Sequence, residues 1–182
     1  MLRRRNRFGS IVGLARVALG LCVPILAQPE QKPSASTVSP AGSAVQVQVT
    51  GEVARPLTFS ADDLAKLPRQ TVKAKAHDGA ESQYDGVALV ELLAKAGVPA
   101  GKELRGKAMA LYVVVEASDD YRAVFALPEL DPAYSDRVIL LADSRDGRPL
   151  SAKEGPLQIV VPGEKKHARW VRQVIRLRVG RA

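Results

Sequence analysis

The segment from Arg137 to Val179 most constrains the fold, because it contains two short and strongly apolar runs. These runs are Val138–Ala142 and Leu157–Val161. Both are aliphatic, partly β-branched and too short for a buried helix, which predicts strands that are covered on both faces. A third run, Val174–Val179, alternates apolar and basic residues, as a half-exposed strand does. The segment therefore predicts buried strands that present a cationic loop or short helix, Glu164–Trp170, at the end of one strand.

The N-terminal residues have the layout of an export signal. Four arginines within the first seven residues precede an apolar stretch at 11–26, which is followed by Ala27. This order predicts a secretory signal peptide at residues 1–27. A retained membrane anchor is the alternative, but Arg16 interrupts the apolar stretch and leaves it short for a span. We therefore expect a periplasmic or secreted protein with no stable membrane insertion after the leader is removed.

The rest of the chain is predicted to form a linker and one domain. Residues 28–44 are rich in Pro, Ser, Gln and Ala without periodicity, which is typical of a flexible linker. Residues 45–182 suffice for one well-buried domain. The only cysteine, Cys22, falls in the leader, so this domain must fold without disulfides.

Hydrophobic periodicity predicts both helices and strands in the domain. Before the C-terminal runs we predict strands at 45–50, 70–76, 111–117 and 121–126, helices at 61–67 and 86–97, and a helical turn at 127–130. Ser60 is expected to cap the first helix. This order of elements argues for an α+β domain with a mixed sheet.

Positive charge is concentrated near the end of the chain. Of the formal net charge of +8, five arginines belong to the leader, and seven Lys and Arg lie in the last eighteen residues. The stretch 28–164 is therefore acidic, at about −4. A local basic patch suits a small anionic ligand or an acidic protein partner better than duplex DNA. With aromatic residues at 4%, stacking on single-stranded nucleic acid is also disfavoured, and we expect no nucleic-acid partner.

The best candidate site is the basic patch made of Lys165, Lys166, His167 and Arg169. Four donors within five residues, directly after Pro162-Gly163, can clamp a phosphate or sulfate group. The alternative is a solvated edge that keeps a terminal strand from pairing with another chain. The sequence supports both interpretations equally.

Two histidines and two aspartates are weaker candidates. His77 and His167 could bind a metal with Asp119 or Asp120, but they lack metal-ligand spacing, and solvated loop side chains are the simpler interpretation. The two aspartates could also act as paired carboxylates, but a turn that simply tolerates aspartate is the favoured interpretation. We therefore predict no metal site and assign no catalytic residue. Trp170 is expected to be a core anchor rather than a stacking surface.

A series of short motifs follows the order found in one known family. The motifs are Gly51-x-Val53, Pro56-Leu57-Thr58, Leu64-x-x-Leu67-Pro68, Tyr84-x-Gly86-Val87-x-Leu89-x-x-Leu92-Leu93-x-x-Ala96-Gly97-Val98, Ser118-Asp119-Asp120-Tyr121, Ile139-Leu140-Leu141-Ala142, Gly147-x-Pro149-Leu150, Gly155-Pro156-Leu157-x-Ile159-Val160-Val161-Pro162-Gly163, Lys166 and Arg169-Trp170-Val171. Together they resemble the molybdopterin-binding domain of the sulfite oxidase family, from about Val45 to Val179.

The resemblance implies an α+β, sulfite-oxidase-type fold with a mixed β-sheet and short helices. It also implies a molybdopterin cofactor and the transfer of oxygen atoms or electrons on a small substrate. Lys166 and Arg169 match the loop that contacts the cofactor's phosphate, with arginine where lysine is usual. The cysteine that binds molybdenum in the family would fall within Lys75–Asp78, which contains His77 but no cysteine. The asparagine and arginine expected just after it are absent as well, and histidine is a poor replacement for a thiolate.

Two hypotheses follow. The first is an exported oxidoreductase with altered or absent molybdenum chemistry that works with a redox or protein partner in the periplasm. Its cofactor residues would be Lys165, Lys166, His167, Arg169 and His77. The second is a cofactor-free, non-catalytic periplasmic module that binds a small anion or a protein partner. The resemblance favours the first and the missing thiolate the second, so the sequence alone does not decide whether the chain is an enzyme.

Overall fold

The structure, a computed structural model, describes residues 45–182. The predicted signal peptide, residues 1–27, and the predicted linker, residues 28–44, lie outside this part of the chain. Among the described residues, no helix is long and apolar enough to cross a membrane.

Ten strands form two sheets. The strands are β1 Gln46–Gly51, β2 Leu57–Ser60, β3 Arg69–Lys75, β4 Glu81–Ala88, β5 Leu111–Ala117, β6 Arg122–Ala126, β7 Leu140–Arg145, β8 Arg148–Pro149, β9 Gln158–Val160 and β10 Val174–Arg181. The first sheet has the order β2-β1-β10-β5-β6, in which only β1 and β10 are parallel. The second sheet is antiparallel, with the order β3-β4-β7-β8 and with β9 also paired to β7.

The helices are short and connect the strands. They are α1 Ala61–Ala65, α2 Leu89–Lys95 and α3 Leu127–Leu130, with 3₁₀ turns η1 Gly101–Glu103, η2 Gly106–Ala110 and η3 His167–Arg169. The predicted cap of α1 is confirmed, since the Ser60 hydroxyl accepts a hydrogen bond from the Asp63 N–H, and the Asp63 carboxylate accepts one from the Ser60 N–H. The predicted α+β fold class is confirmed.

Both sheets contribute to one hydrophobic core. Val47 and Leu177 of the first sheet, Leu141 and Ile159 of the second, and Leu92 of α2 are at most 1% exposed and belong to the same cluster. The two apolar runs that dominate the C-terminal sequence supply β7 and β9, and both strands are buried at their paired positions. Their prediction as strands covered on both faces is therefore confirmed for these positions.

One predicted element was wrong in its extent. The helix predicted at 86–97 begins only at Leu89, because Gly86–Ala88 are the last residues of β4. Strand β4 was not predicted at all, since its first residues, Glu81–Gln83, are polar. The apolar residues on both sides of the strand–helix junction are buried. The order of apolar and polar residues therefore does not show where the periodicity of a strand gives way to that of a helix.

Gly86 lies on β4 in close contact with the backbone of β7. A Cβ atom at this position would lie 2.1 Å from the Leu141 carbonyl oxygen and 2.7 Å from the Ala142 Cα atom. The register shifts between Asp85 and Gly86, as in a β-bulge. The missing side chain therefore permits the contact between two central strands of the second sheet.

We predict that Gly86→Ala lowers the free energy of unfolding by about 3 kcal/mol, because the added methyl group meets backbone that cannot move independently. Gly79→Ala is the matched control, since Gly79 has a φ of +82° but no neighbour within 4 Å of an added Cβ. It should cost only about 1 kcal/mol of backbone strain. Urea unfolding of both variants measures the difference, and equal losses would contradict the close approach of β4 and β7.

Candidate functional site

A cleft of about 450 Å³ opens where the two sheets end beside the loop that precedes β10. His77 comes to it from the end of β3, Ala117 from the end of β5, and Gln158 from the start of β9. The loop supplies Lys166 and His167. The cleft therefore combines residues that are distant in the chain, at a position where folds commonly bind ligands.

An aromatic wall forms one side of the cleft. The His167 ring lies edge-to-face with Trp170 at 4.4 Å and with His77 at 5.9 Å between ring centroids, and Tyr84 meets Trp170 in the same way at 5.6 Å. Trp170 is also 7% exposed and donates from Nε1 to the Val161 carbonyl at 3.1 Å, so its prediction as a core anchor is confirmed. The wall offers flat apolar surface to a planar ligand.

His167 is held in place by backbone. Its Nε2 lies 2.7 Å from the Lys75 carbonyl oxygen, so this nitrogen carries the proton and donates. The neighbouring loop residue Ala168 accepts a 2.6 Å hydrogen bond from the Tyr121 hydroxyl. These two contacts tie the cationic loop to the ends of β3 and of the β5–β6 hairpin, and thereby fix the shape of the cleft.

The most informative atom of the cleft is Oε1 of Gln158. The side chain is 3% exposed, and Oε1 is the one buried side-chain atom among residues 45–182 without a hydrogen-bond partner. An unsatisfied buried acceptor costs about 1–3 kcal/mol. Gln158 lines the cleft, but Oε1 itself is closed to solvent, so a ligand N–H or O–H group supplies the missing donor only after the side-chain amide turns toward the cleft.

The acidic and basic side chains of the cleft differ in the partners that they have. Asp119 accepts a hydrogen bond from the Tyr121 N–H at 3.1 Å, and Glu154 accepts one from the Ser151 hydroxyl at 2.9 Å. By contrast, Lys166 and Arg172 form no ion pair with any residue from 45 to 182. The cleft therefore presents two cations, Lys166 and Arg172, and one carboxylate, Asp119, that have no ion-pair partner among residues 45–182.

Three of the five predicted binding residues, His77, Lys166 and His167, meet in this cleft. Lys165 is exposed and does not line it, and neither does Arg169. The five residues therefore do not all line one cleft, and their role in ligand binding stays a prediction. The physical reason is the 3₁₀ turn η3, which directs successive side chains to different sides of the loop.

Arg169 is engaged in contacts within the fold. Its guanidinium donates to Glu164 from Nε at 2.7 Å and to Glu129 from Nη1 at 2.9 Å, and it lies 4.6 Å from the centroid of the Phe125 ring. Burial disfavours the charge, but the hydrogen bonds to Glu164 and Glu129 outweigh this effect and raise the pKa of Arg169. The residue links its loop to α3 and is already neutralised by two carboxylates.

The weaker predictions have separate outcomes. His77 and His167 do meet, and Asp119 lines the same cleft, but residues 45–182 contain no group of three or more His, Cys, Asp or Glu arranged to hold a metal. Asp119 and Asp120 form the turn between β5 and β6, where Asp120 has a φ of +66°. The turn interpretation of these two aspartates agrees with the structure.

Sequence reasoning missed Gln158, Arg172 and Tyr121 as cleft residues. Gln158 did leave a signal, because it is the single polar residue of the apolar run Leu157–Val161. A polar side chain in a strand covered on both faces needs a partner, so it marks a candidate site. Arg172 and Tyr121 left no comparable signal.

Comparison with known proteins identifies the family. The family described as oxidoreductase molybdopterin binding domain matches residues 35–181, and the chain belongs to this family. The predicted resemblance to the molybdopterin-binding domain of the sulfite oxidase family is thereby confirmed. No curated protein sequence matches the chain.

A solved structure supports the fold. The sulfane dehydrogenase SoxCD from Paracoccus pantotrophus is similar to this chain with a TM-score of 0.59 and 24% sequence identity. The match covers 74% of this chain but only 37% of the SoxCD chain. The similarity therefore concerns the fold of one part of that larger protein.

The residues of the cleft fit the organic part of the family's cofactor better than its metal. Residues 45–182 contain no cysteine, so they offer no thiolate to molybdenum. A pterin ring carries N–H groups that can satisfy Oε1 of Gln158, and its phosphate can meet Lys166 and Arg172. The buried acceptor, the two cations and the aromatic wall of the cleft therefore suit a planar, anionic heterocycle. They do not supply a protein thiolate to a metal that such a ligand carries.

We predict that Arg169→Ala lowers the free energy of unfolding by about 2 kcal/mol, because it leaves two partly buried carboxylates unpaired. Lys166→Ala should change it by less than about 0.5 kcal/mol, since Lys166 is exposed and has no partner among the described residues. Thermal and urea unfolding test both variants. Equal effects would contradict the separate roles of these two cations.

Proposed function

We propose that this chain is an exported binding protein of the molybdopterin-binding domain family, which holds a small anionic ligand of the pterin class in its cleft. Its molybdenum chemistry is altered or absent. The observation that carries the proposal is the unpaired Oε1 of Gln158 in a cleft with two available cations. Family membership supports the pterin as the ligand class.

In the proposed complex the ligand is recognised at two ends. The buried end places a ring N–H group against Gln158 Oε1, which removes the cost of the unsatisfied acceptor. The wall of Trp170 and His167 contacts the flat ring. The anionic end lies toward Lys166 and Arg172, where charge-assisted hydrogen bonds are available. A ligand with only one of these two ends loses part of the binding free energy.

The chain's own residues bind and orient the ligand. The Nε2–H group of His167 donates a hydrogen bond to the Lys75 carbonyl oxygen. This bond fixes the orientation of the imidazole ring beside the cleft. A molybdenum pterin cofactor, where one is bound, supplies oxygen-atom or electron transfer. The residues between 45 and 182 provide no thiolate for that metal, so the proposal assigns them binding and positioning only.

A molybdenum-dependent oxidoreductase acting on a small substrate is the second candidate. Membership of an oxidoreductase family favours it. It requires metal ligands other than a thiolate from residues 45–182, supplied by the cofactor itself or by a periplasmic redox partner. The proposed export rests on the arginine-rich leader at residues 1–27 and places either function in the periplasm or outside the cell.

We predict that Gln158→Leu weakens binding of the fluorescent probe pterin-6-carboxylate about tenfold, because the buried N–H of the probe loses its acceptor. The same change should raise the free energy of unfolding of the ligand-free protein by about 1 kcal/mol, since it removes an unsatisfied polar atom. Fluorescence titration and urea unfolding measure the two effects. Lys73→Ala, a change at an exposed cation outside the cleft, is the control and should alter neither.

A loss of stability in Gln158→Leu without any change in probe binding would contradict the proposal. It would show that the Gln158 side chain supports the fold instead of receiving a ligand.

We predict that the protein purified from the periplasmic fraction of its native host begins near Gln28 and contains less than about one tenth of an equivalent of molybdenum. N-terminal sequencing and elemental analysis of the same folded sample check both points. Stoichiometric molybdenum would reject the proposal in favour of the second candidate. An intact leader in the cytoplasmic fraction would reject export alone.

A further inference from the structure

One face of the first sheet carries a row of polar and charged side chains. The register places Gln48 beside Arg176, Arg176 beside Glu116, and Glu116 beside Arg122, so the row crosses β1, β10, β5 and β6. In the neighbouring row Arg178 lies beside Val114. Because the core residues of these strands alternate with this set, the row belongs to the face opposite the core.

Three arginines on this face share one carboxylate. Oxygen atoms of Glu116 lie 3.1 Å from Arg176, 3.4 Å from Arg178 and 3.8 Å from Arg122. The Glu116 side chain is 9% exposed, whereas the arginine side chains are 42–56% exposed. The cluster therefore keeps an excess of two positive charges, and its guanidinium groups remain open to solvent.

The buried carboxylate also orders the arginines. A free arginine side chain loses rotamer entropy when it binds a partner, and side chains that are already held in place lose less. Glu116 lies between β10 and β6 in the middle of the row, so it holds arginines from both neighbouring strands. The resulting surface is prepared to receive further carboxylates, which match the planar guanidinium geometry.

The surroundings indicate a protein as the partner. Val124, on β6, is 54% exposed, and Ile175, the extra residue in the bulge of β10, is 43% exposed. Arginine combined with exposed aliphatic surface is typical of protein–protein interfaces. The row contains no aromatic side chain on which nucleic-acid bases could stack. Its side chains are polar and lie on a sheet face, so they do not insert into a membrane.

The face adjoins the cleft but does not belong to it. Tyr121 lines the cleft and precedes Arg122, while Ala117 lines the cleft and follows Glu116. None of the three arginines lines the cleft. A partner bound to this face would thus lie next to residues that border the cleft.

We propose that Arg122, Arg176 and Arg178, organised by Glu116, form a docking surface for a protein partner that presents clustered carboxylates. This inference rests on the open face of the first sheet and is independent of the ligand proposed for the cleft. It goes beyond the small-molecule function, because it gives the sheet a role in assembly.

An octaglutamate peptide serves as the probe of this surface, with the mature chain labelled for NMR. At low salt, peptide addition should shift the resonances of the Arg122–Val124 and Arg176–Arg178 segments, and the shifts should disappear at high salt. Arg122→Gln combined with Arg178→Gln should weaken peptide binding at least fivefold. Arg176 stays unchanged in this variant, because it also donates to Gln48.

Lys73→Gln combined with Lys102→Gln is the matched control, since it removes the same charge from exposed positions elsewhere. It should weaken binding less than twofold. Equal losses in the two double variants would overturn the proposal, because they would show attraction to net charge only. Tighter binding to phosphatidylglycerol vesicles than to the peptide would overturn it in favour of a membrane surface, and shifts confined to the cleft would overturn it as well.

Discussion

The position of the last strand, β10, decides the arrangement of the rest of the structure. It lies between β1 and β5 in the first sheet, so the two ends of the described chain meet in one sheet. The approach to β10 is fixed to β9 by hydrogen bonds from the Ile159 N–H to the Val171 carbonyl and from the Val174 N–H to the Leu157 carbonyl. These bonds join the two sheets and hold the cationic loop above their junction. Without these hydrogen bonds, the loop that carries His167 and Trp170 would not form one side of the cleft.

The basic residues near the end of the chain do not act as one patch. Lys166 and Arg172 line the cleft. Arg169 is neutralised by two glutamates. Arg176 and Arg178 lie on the face of the first sheet that is opposite the hydrophobic core. The separation follows from local backbone geometry, because a 3₁₀ turn and then a strand send neighbouring side chains in different directions. A single charged segment thereby contributes to the proposed ligand site, to stability and to the proposed docking surface.

This chain has the scaffold of the family without a cysteine among residues 45–182. The core that carries the fold is built from aliphatic side chains of both sheets and imposes no requirement on the chemistry of the cleft. The cleft keeps cations and an aromatic wall, but residues 45–182 lack a thiolate. Gln158 is consistent with a different occupant, since a buried carbonyl oxygen selects a ligand that donates a hydrogen bond.

The sequence by itself determined the fold class, the Ser60 cap and most strands, because periodicity and capping are local properties. It also predicted His77, Lys166 and His167 as binding residues, and these three line the cleft. Only the tertiary structure placed Gln158 in the cleft and removed Arg169 from it. The physical reason is that an unpaired buried acceptor and an arginine neutralised by Glu129 both depend on contacts between residues distant in the chain, which no local pattern encodes.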